Sequence, residues 1–186
     1  MLPHLSEVYA AKNALTSSLF PSTVTLLPSL RILDVSKNSI ASLAWASTPS
    51  SGILSLPALT HLNISSNRLI ALPDLTTWSS LTTLLAEENS ITTLPSGFTS
   101  LSQLRNVNFT SNDIKNLDEQ IALMPSLETL TVAGNPLREK KFLTMGTEAL
   151  KKELGRRLAL AEELEGSARP TAEQDVPDYE QDDEMF

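Results

Sequence analysis

The chain has 186 residues, a formal charge of −8, 41% apolar residues, 5% aromatic residues and no cysteine. That length suits one domain with a substantial core, or one domain and a tail, and does not suit two packed domains. Without cysteine there can be no disulfide framework and no thiolate metal site, so nothing favours an oxidising compartment. The first residues, MLPHLSEVYAAKNALTSSLF, lack a basic head followed by an unbroken apolar run, and no segment approaches the ~20 apolar residues of a membrane helix. The expectation is a soluble, unexported, cytoplasmic protein, with a nuclear location as the alternative.

A spacing recurs from the start of the chain. An apolar residue stands eight, five and three positions before an asparagine and two after it, in six copies centred on Asn13, Asn38, Asn67, Asn89, Asn112 and Asn135. Successive asparagines are 25, 29, 22, 23 and 23 residues apart. Within each copy apolar and polar residues alternate, as in LTHLNISSNRL, which predicts a short strand with one buried face. Leu62 and Ile64 are expected to point in, and His61, Asn63 and Ser65 out. Between copies, Leu94, Phe98 and Leu101 return at four and three, the period of a loosely helical or 3₁₀ arc. One strand and one arc cannot bury their leucines alone, so the unit is stable only when stacked.

The asparagine needs its own explanation. A buried turn leaves backbone groups that cost ~1–3 kcal/mol each when unpaired, and an amide offers both a donor and an acceptor. The six residues are therefore expected to form a structural ladder rather than a metal site. Asn63-Ile-Ser65 and Asn108-Phe-Thr110 match the glycan sequon, but no export signal accompanies them and both fall on strands. The widest gap holds AWASTPSSG, residues 44 to 52, which reads as a protruding loop.

After Asn135 the pattern changes. Pro136 blocks continuation, Thr147 reads as a helix N-cap with Glu148 in the first turn, and Gly166 reads as the stop. Leu150, Leu154, Leu158 and Ala161 form an apolar stripe, with Lys151, Lys152, Arg156 and Arg157 on the outward side. This helix should cap the open end of the last coil. Residues 171 to 186 contain seven acids and no Lys or Arg, leaving only −1 for residues 1 to 170. Such a stretch is expected to be a disordered acidic tail, which could lie loosely over the basic residues between 138 and 157. At the other end almost nothing precedes Leu5. The first coil then needs cover from Met1 to His4, from a partner or from further repeats.

The six copies resemble the leucine-rich-repeat family, whose pattern is LxxLxLxxNxL, over about residues 5 to 137. The resemblance implies an α/β fold: a right-handed solenoid with a curved parallel sheet on its concave side, helical or 3₁₀ arcs on its convex side and a C-terminal capping helix. Residues 1–137 would hold the repeats, 138–166 the cap and 167–186 the tail. GNPLR, a basic and apolar run and a Gly-Thr before the helix resemble the end of the leucine-rich repeat-containing protein 40 group. That group implies a non-enzymatic cytoplasmic protein; the six copies and the acidic tail depart from it.

Catalysis is not expected. The only histidines are His4 and His61, and no phosphate loop, HExxH or GxSxG is present. Glu87-Glu88 and Asp182-Asp183 are sequence neighbours rather than facing acid and base. No cofactor, no metal, no nucleic acid and no membrane is implied. Function falls on the concave face as binding of a protein partner, by Tyr9, Arg31, Ile32, Asp34, His61, Asn63, Leu85, Glu87, Arg105 and Asn108. The aromatic and arginine members are the natural anchors. Lys12, Arg31 and Lys37 gather toward the start and Glu87 and Glu88 in the middle, which suits a partner with both charge signs. A scaffold or adaptor is the leading expectation, monomeric unless the open N-terminal edge pairs. The LP after Asn67 and Asn89 also resembles regulators of protein phosphatase 1 and of Ras-type signalling, so a regulatory subunit is the alternative. An acidic-tailed nuclear repeat protein that binds histones ranks third.

Overall fold

A computed structural model describes residues 4–20, 24–43 and 54–167. The 44–52 loop, the cover expected from residues 1–3 and the tail beyond residue 167 lie outside the described residues.

Six three-residue strands build one parallel sheet: β1 (Glu7–Tyr9), β3 (Ile32–Asp34), β5 (His61–Asn63), β6 (Thr83–Leu85), β7 (Asn106–Asn108) and β8 (Thr129–Thr131), paired in that order. The register has no slip from Glu7↔Ile32 through His61↔Thr83 to Asn106↔Thr129. The reason is the period of two. The middle residue of each strand is apolar and faces the core, and a one-residue slip would turn all of them to solvent. Leu33, Leu62, Leu84, Val107 and Leu130 are buried accordingly.

Stacked coils share one continuous core. Leucine fills most of it, and two aromatic sites complete it. Trp78 is fully buried with its indole N–H donating to the Leu54 carbonyl at 3.0 Å, which satisfies its one polar atom. Phe98 and Phe109 meet with ring centroids 6.1 Å apart.

The convex side changes character along the chain. Coils toward the C-terminus return through 3₁₀ turns at Phe98–Ser100 and Glu119–Leu123. The first two coils instead pair β2 (Thr16–Ser18) with β4 (Ser39–Ser42), and a single bridge joins Leu26 to Ser55. Here strand pairing replaces the expected helical arc: Thr16 and Ile40 suit an extended chain, while Ser17 sits at φ 59° where the pairing shifts register. Ser65, expected to point out, is buried at 5% exposure. It lies beyond the strand's end, where the chain turns inward.

Helix α1 (Thr147–Ser167) closes the C-terminal end. Its first helical bond runs from the Leu150 amide to the Gly146 carbonyl, so Gly146 rather than Thr147 is the capping residue. The Thr147 hydroxyl instead accepts the backbone amide of Leu130 in β8 at 2.9 Å, tying the helix to the last strand. Leu150 and Leu154 are buried, whereas Leu158 is half-buried and Ala161 exposed. The apolar stripe is therefore used only over its first two turns. At Gly155 the helix lies close to the turn beneath it, where a Cβ would be in ordinary contact with the Ala122 methyl at 3.4 Å. Gly166 lies within the helix rather than after it.

Nor do all four basic residues form a solvated outer face. Arg157 makes a two-pronged pair with Glu139, while Lys141 and Arg156 hold Glu153 at 2.7 and 3.0 Å. Lys141 and Arg157 also lie 5.4 and 5.2 Å from the centre of the Phe142 ring. Lys151 reaches the Leu127 carbonyl at 3.5 Å. Lys152 is exposed. The hydrogen bond from Arg156, then that from Lys141, hold the Glu153 carboxyl at about 2. The hydrogen bond from Arg157 likewise holds Glu139 below the usual carboxylate range.

Candidate partner-binding face

Each strand presents its first and third side chains on the concave face. The first column reads Glu7, Ile32, His61, Thr83, Asn106, Thr129 and the second Tyr9, Asp34, Asn63, Leu85, Asn108, Thr131. Arg31 and Arg105 stand one residue before their strands, and Glu87 two residues after β6.

Below this face lies the row of asparagines. Every side-chain amide from Asn38 to Asn135 donates to two carbonyls of its own turn and one of the preceding coil. Asn67 Nδ2, for example, reaches the Ile64, Ser65 and Val35 carbonyls at 2.9, 3.3 and 3.0 Å. Its Oδ1 accepts the Ile40 amide at 3.0 Å, and Asn89, Asn112 and Asn135 repeat the arrangement toward Leu69, Ile91 and Ile114. Asn38 accepts two amides, from Asn13 and Leu15. Among the described residues no coil precedes Asn13, which is exposed and whose Nδ2 bonds the Ala10 and Ala11 carbonyls of its own turn.

The residue before each asparagine adopts a positive φ: Lys12, Lys37, Ser66, Glu88, Ser111 and Gly134, between 54° and 71°. Outside glycine this conformation is uncommon and strained. It is what turns the chain sharply enough to aim the next amide inward. Five of the six are not glycine, so sequence reasoning passes over the row; only the Gly134-Asn135 pair signals it.

The candidate residues divide into two groups. Tyr9 (67% exposed), Arg31 and His61 are exposed at the first three strands of the sheet, with Ile32 half-buried between them. Partial desolvation, then the Glu7 charge and hydrogen bond and the Asp34 charge, push the Tyr9 phenol above its ordinary value. His61 Nδ1 lies 2.9 Å from the Thr60 hydroxyl. Asp34, Asn63 and Asn108, by contrast, are partly spent on the fold. Their Oδ1 atoms accept the backbone amides of Ser36, Ser65 and Thr110, two residues on, at 2.9, 3.2 and 2.9 Å. Asn63 Nδ2 donates to Asp34 at 3.3 Å, so that sequon asparagine is already engaged. Asn108 donates to Glu87 and accepts the Thr131 hydroxyl at 2.8 Å, Arg105 pairs with Glu128 at 2.6 Å, and Leu85 is half-buried between Asn63 and Asn108. The exposed anchors thus lie at β1, β3 and β5, where Asp34 and Asn63 are nonetheless bonded, and Arg105, Asn108 and Thr131 are paired around β7 and β8.

A separate cleft of about 230 Å³ lies where the last two turns meet the cap, lined by Lys115, Glu119, Arg138, Glu139, Phe142 and Arg157 among others. Its charges are of mixed sign, and Arg157 is taken by Glu139. Among the described residues no group of three or more His, Cys, Asp or Glu side chains could hold a metal, and no helix is long and apolar enough to cross a membrane.

No family model matches the chain. Over 133 residues it is 29% identical to the PH domain leucine-rich repeat protein phosphatase 1 of Rattus norvegicus, a match covering 71% of this chain and 7% of that one. Over 118 residues it is 34% identical to the adenylate cyclase of Schizosaccharomyces pombe, covering 63% of this chain and 7% of the cyclase. The chain therefore spans less than a tenth of these relatives. Among solved structures, a leucine-rich-repeat protein of Leptospira interrogans superposes with TM-score 0.64 at 26% identity, over 84% of this chain and 36% of that one. The BIR2 ectodomain of Arabidopsis thaliana superposes with TM-score 0.55 at 22% identity, over 73% of this chain and 70% of that one.

Proposed function

We propose that this chain, a leucine-rich-repeat solenoid with a capping helix, is a non-catalytic scaffold or adaptor that binds a protein partner on its concave face. The observation that carries the reading is the set of exposed anchors, Tyr9, Arg31 and His61, on a rigid sheet whose Arg105, Asn108 and Thr131 are paired. A rigid platform loses little entropy on binding, and a few aromatic and arginine side chains supply most of the energy. Ile32, Asp34 and Leu85 would line the contact, and Asn63, Glu87, Arg105 and Asn108 would border it. On this reading residues 1–137 are the repeats and 138–166 the cap of a module that acts in the cytoplasm and resembles the leucine-rich repeat-containing protein 40 group.

Relatives named as a phosphatase and a cyclase favour a second reading, in which the same face regulates an enzyme. Crosslinking with mass spectrometry at native expression tests both. Partners captured by the wild type should be lost with Tyr9→Ala/Arg31→Ala and kept with Lys152→Ala, an exposed change on the capping helix. A stoichiometric enzyme among them supports regulation, and a changing set supports scaffolding. Capture indifferent to the double substitution would overturn the concave-face reading.

A further inference from the structure

The positive-φ residues before the asparagines form the rim of the sheet. Backbone bonds continue through it, from Lys12 to Ser36, Lys37 to Ser65, Ser66 to Glu87 and Glu88 to Thr110, so these rim positions keep the spacing of the strands. In coil order the rim reads Lys12, Lys37, Ser66, Glu88, Ser111, Gly134. Two cations are thus followed by a neutral residue, an anion and two neutral residues. Glu87, half-buried just inside the rim, doubles the negative charge at the fourth coil.

These charges meet no opposite charge within the described residues. Lys12, Lys37, Glu87 and Glu88 take part in no ion pair among the described residues. Glu88 is turned to the Ser66 hydroxyl at 2.6 Å and Glu87 to the Asn108 amide. Lys37 and Glu88 are two strand spacings apart, about 10 Å, the span of three residues in an extended chain at about 3.3 Å each. Each lies on a backbone conformation that fixes where its side chain leaves the sheet.

We propose that the rim reads an extended, amphoteric peptide segment that crosses the strands, placing an acidic residue at Lys12 and Lys37 and a basic residue about three positions away at Glu87 and Glu88. This rests on the concave face being the binding surface and names the partner's chemistry. Opposite charges at a fixed separation fix direction as well as identity, because the reversed segment would set like charges together at both ends.

Random linear peptides displayed on phage, selected against the wild type and against Lys37→Glu/Glu88→Lys, test the idea. Both changes lie on exposed side chains, and an unaltered circular dichroism spectrum and melting temperature confirm folding. Wild-type selections should enrich acid and base about three residues apart in one order, and the charge-swapped protein the opposite order. A chosen peptide should lose at least about tenfold in affinity on the swapped protein and regain it when its charges are exchanged, with the effect fading at high salt. The same peptides enriched on both proteins, but lost with Tyr9→Ala/Arg31→Ala, would overturn the rim proposal and leave the concave-face reading standing. No enrichment on either protein would overturn both.

Discussion

The two ends of the solenoid solve the same problem differently. At the C-terminal end, Asn135 is buried and fully bonded, Leu150 and Leu154 cover the last coil, and the Thr147 hydroxyl pairs with the Leu130 amide of the edge strand. At the N-terminal end Asn13 is exposed, β1 has no strand on its outer side among the described residues, and Leu5, Val8, Leu15 and Leu19 are only half-buried. On the concave surface Arg105, Asn108 and Thr131 are paired toward the cap, and Tyr9, Arg31 and His61 are exposed toward β1. A repeat array transmits stability only between neighbours. The capped end can therefore be well packed while the first described coils are less so.

The sharpest way to break this contrast is to delete the same amide at two levels. Asn112→Ala would take one of two bonds from each of the Ala86, Phe109 and Thr110 carbonyls and leave the Ile91 amide without its side-chain acceptor inside the core. Chemical denaturation should show a loss of about 3 kcal/mol or more, whereas Asn13→Ala should cost under about 1 kcal/mol because water replaces the lost bonds. Equal losses at both levels would mean that the open end is as well packed as the capped one.

The rim offers a smaller contrast. A Cβ on Gly134, at φ 71°, would meet the Ser111 Oγ and backbone N at 3.1 and 3.2 Å. Gly134→Ala should destabilise by about 1–2 kcal/mol. Ser111→Gly, one coil earlier at φ 55°, relieves a strained residue and should shift stability by less than about 1 kcal/mol, in the stabilising direction. Thermal unfolding of the two variants checks both signs.

The smallest effect concerns pH at the cap. Glu153 falls from 4.5 to about 2 on folding, mainly through its hydrogen bonds from Arg156 and Lys141. A depressed carboxyl contributes stability that is complete above its unfolded value and is lost as pH falls through its folded value. Unfolding followed between pH 4.5 and 2 should therefore show a steeper loss for the wild type than for Glu153→Gln. Identical slopes would show that the exposed pairs are screened and contribute nothing at the cap.

The repeat was legible because it needs only periodicity: an apolar residue every second position and an asparagine at a fixed offset require one face in and one amide at the bend. Recognising which side chains were free was harder. Asp34, Asn63 and Asn108 read as surface groups in the sequence, yet each accepts a backbone amide two residues on. That bond depends on a local turn which no spacing rule encodes. Arg157 reads as the outer face of a helix, but Glu139, 18 residues earlier, is brought to it by the 3₁₀ turn at Lys140–Leu143.

By itself the sequence determined the stacking of six coils, the buried leucines and the helix that follows, since these depend on residue type and interval. Only the tertiary structure decided the strained rim row, the pairing of β2 with β4, the cap's charge cluster and the open half of the concave face. Each of those depends on which groups from distant coils meet across the sheet spacing. Hydrogen bonds and charges act over a few ångströms in space, and a linear pattern carries no record of that distance.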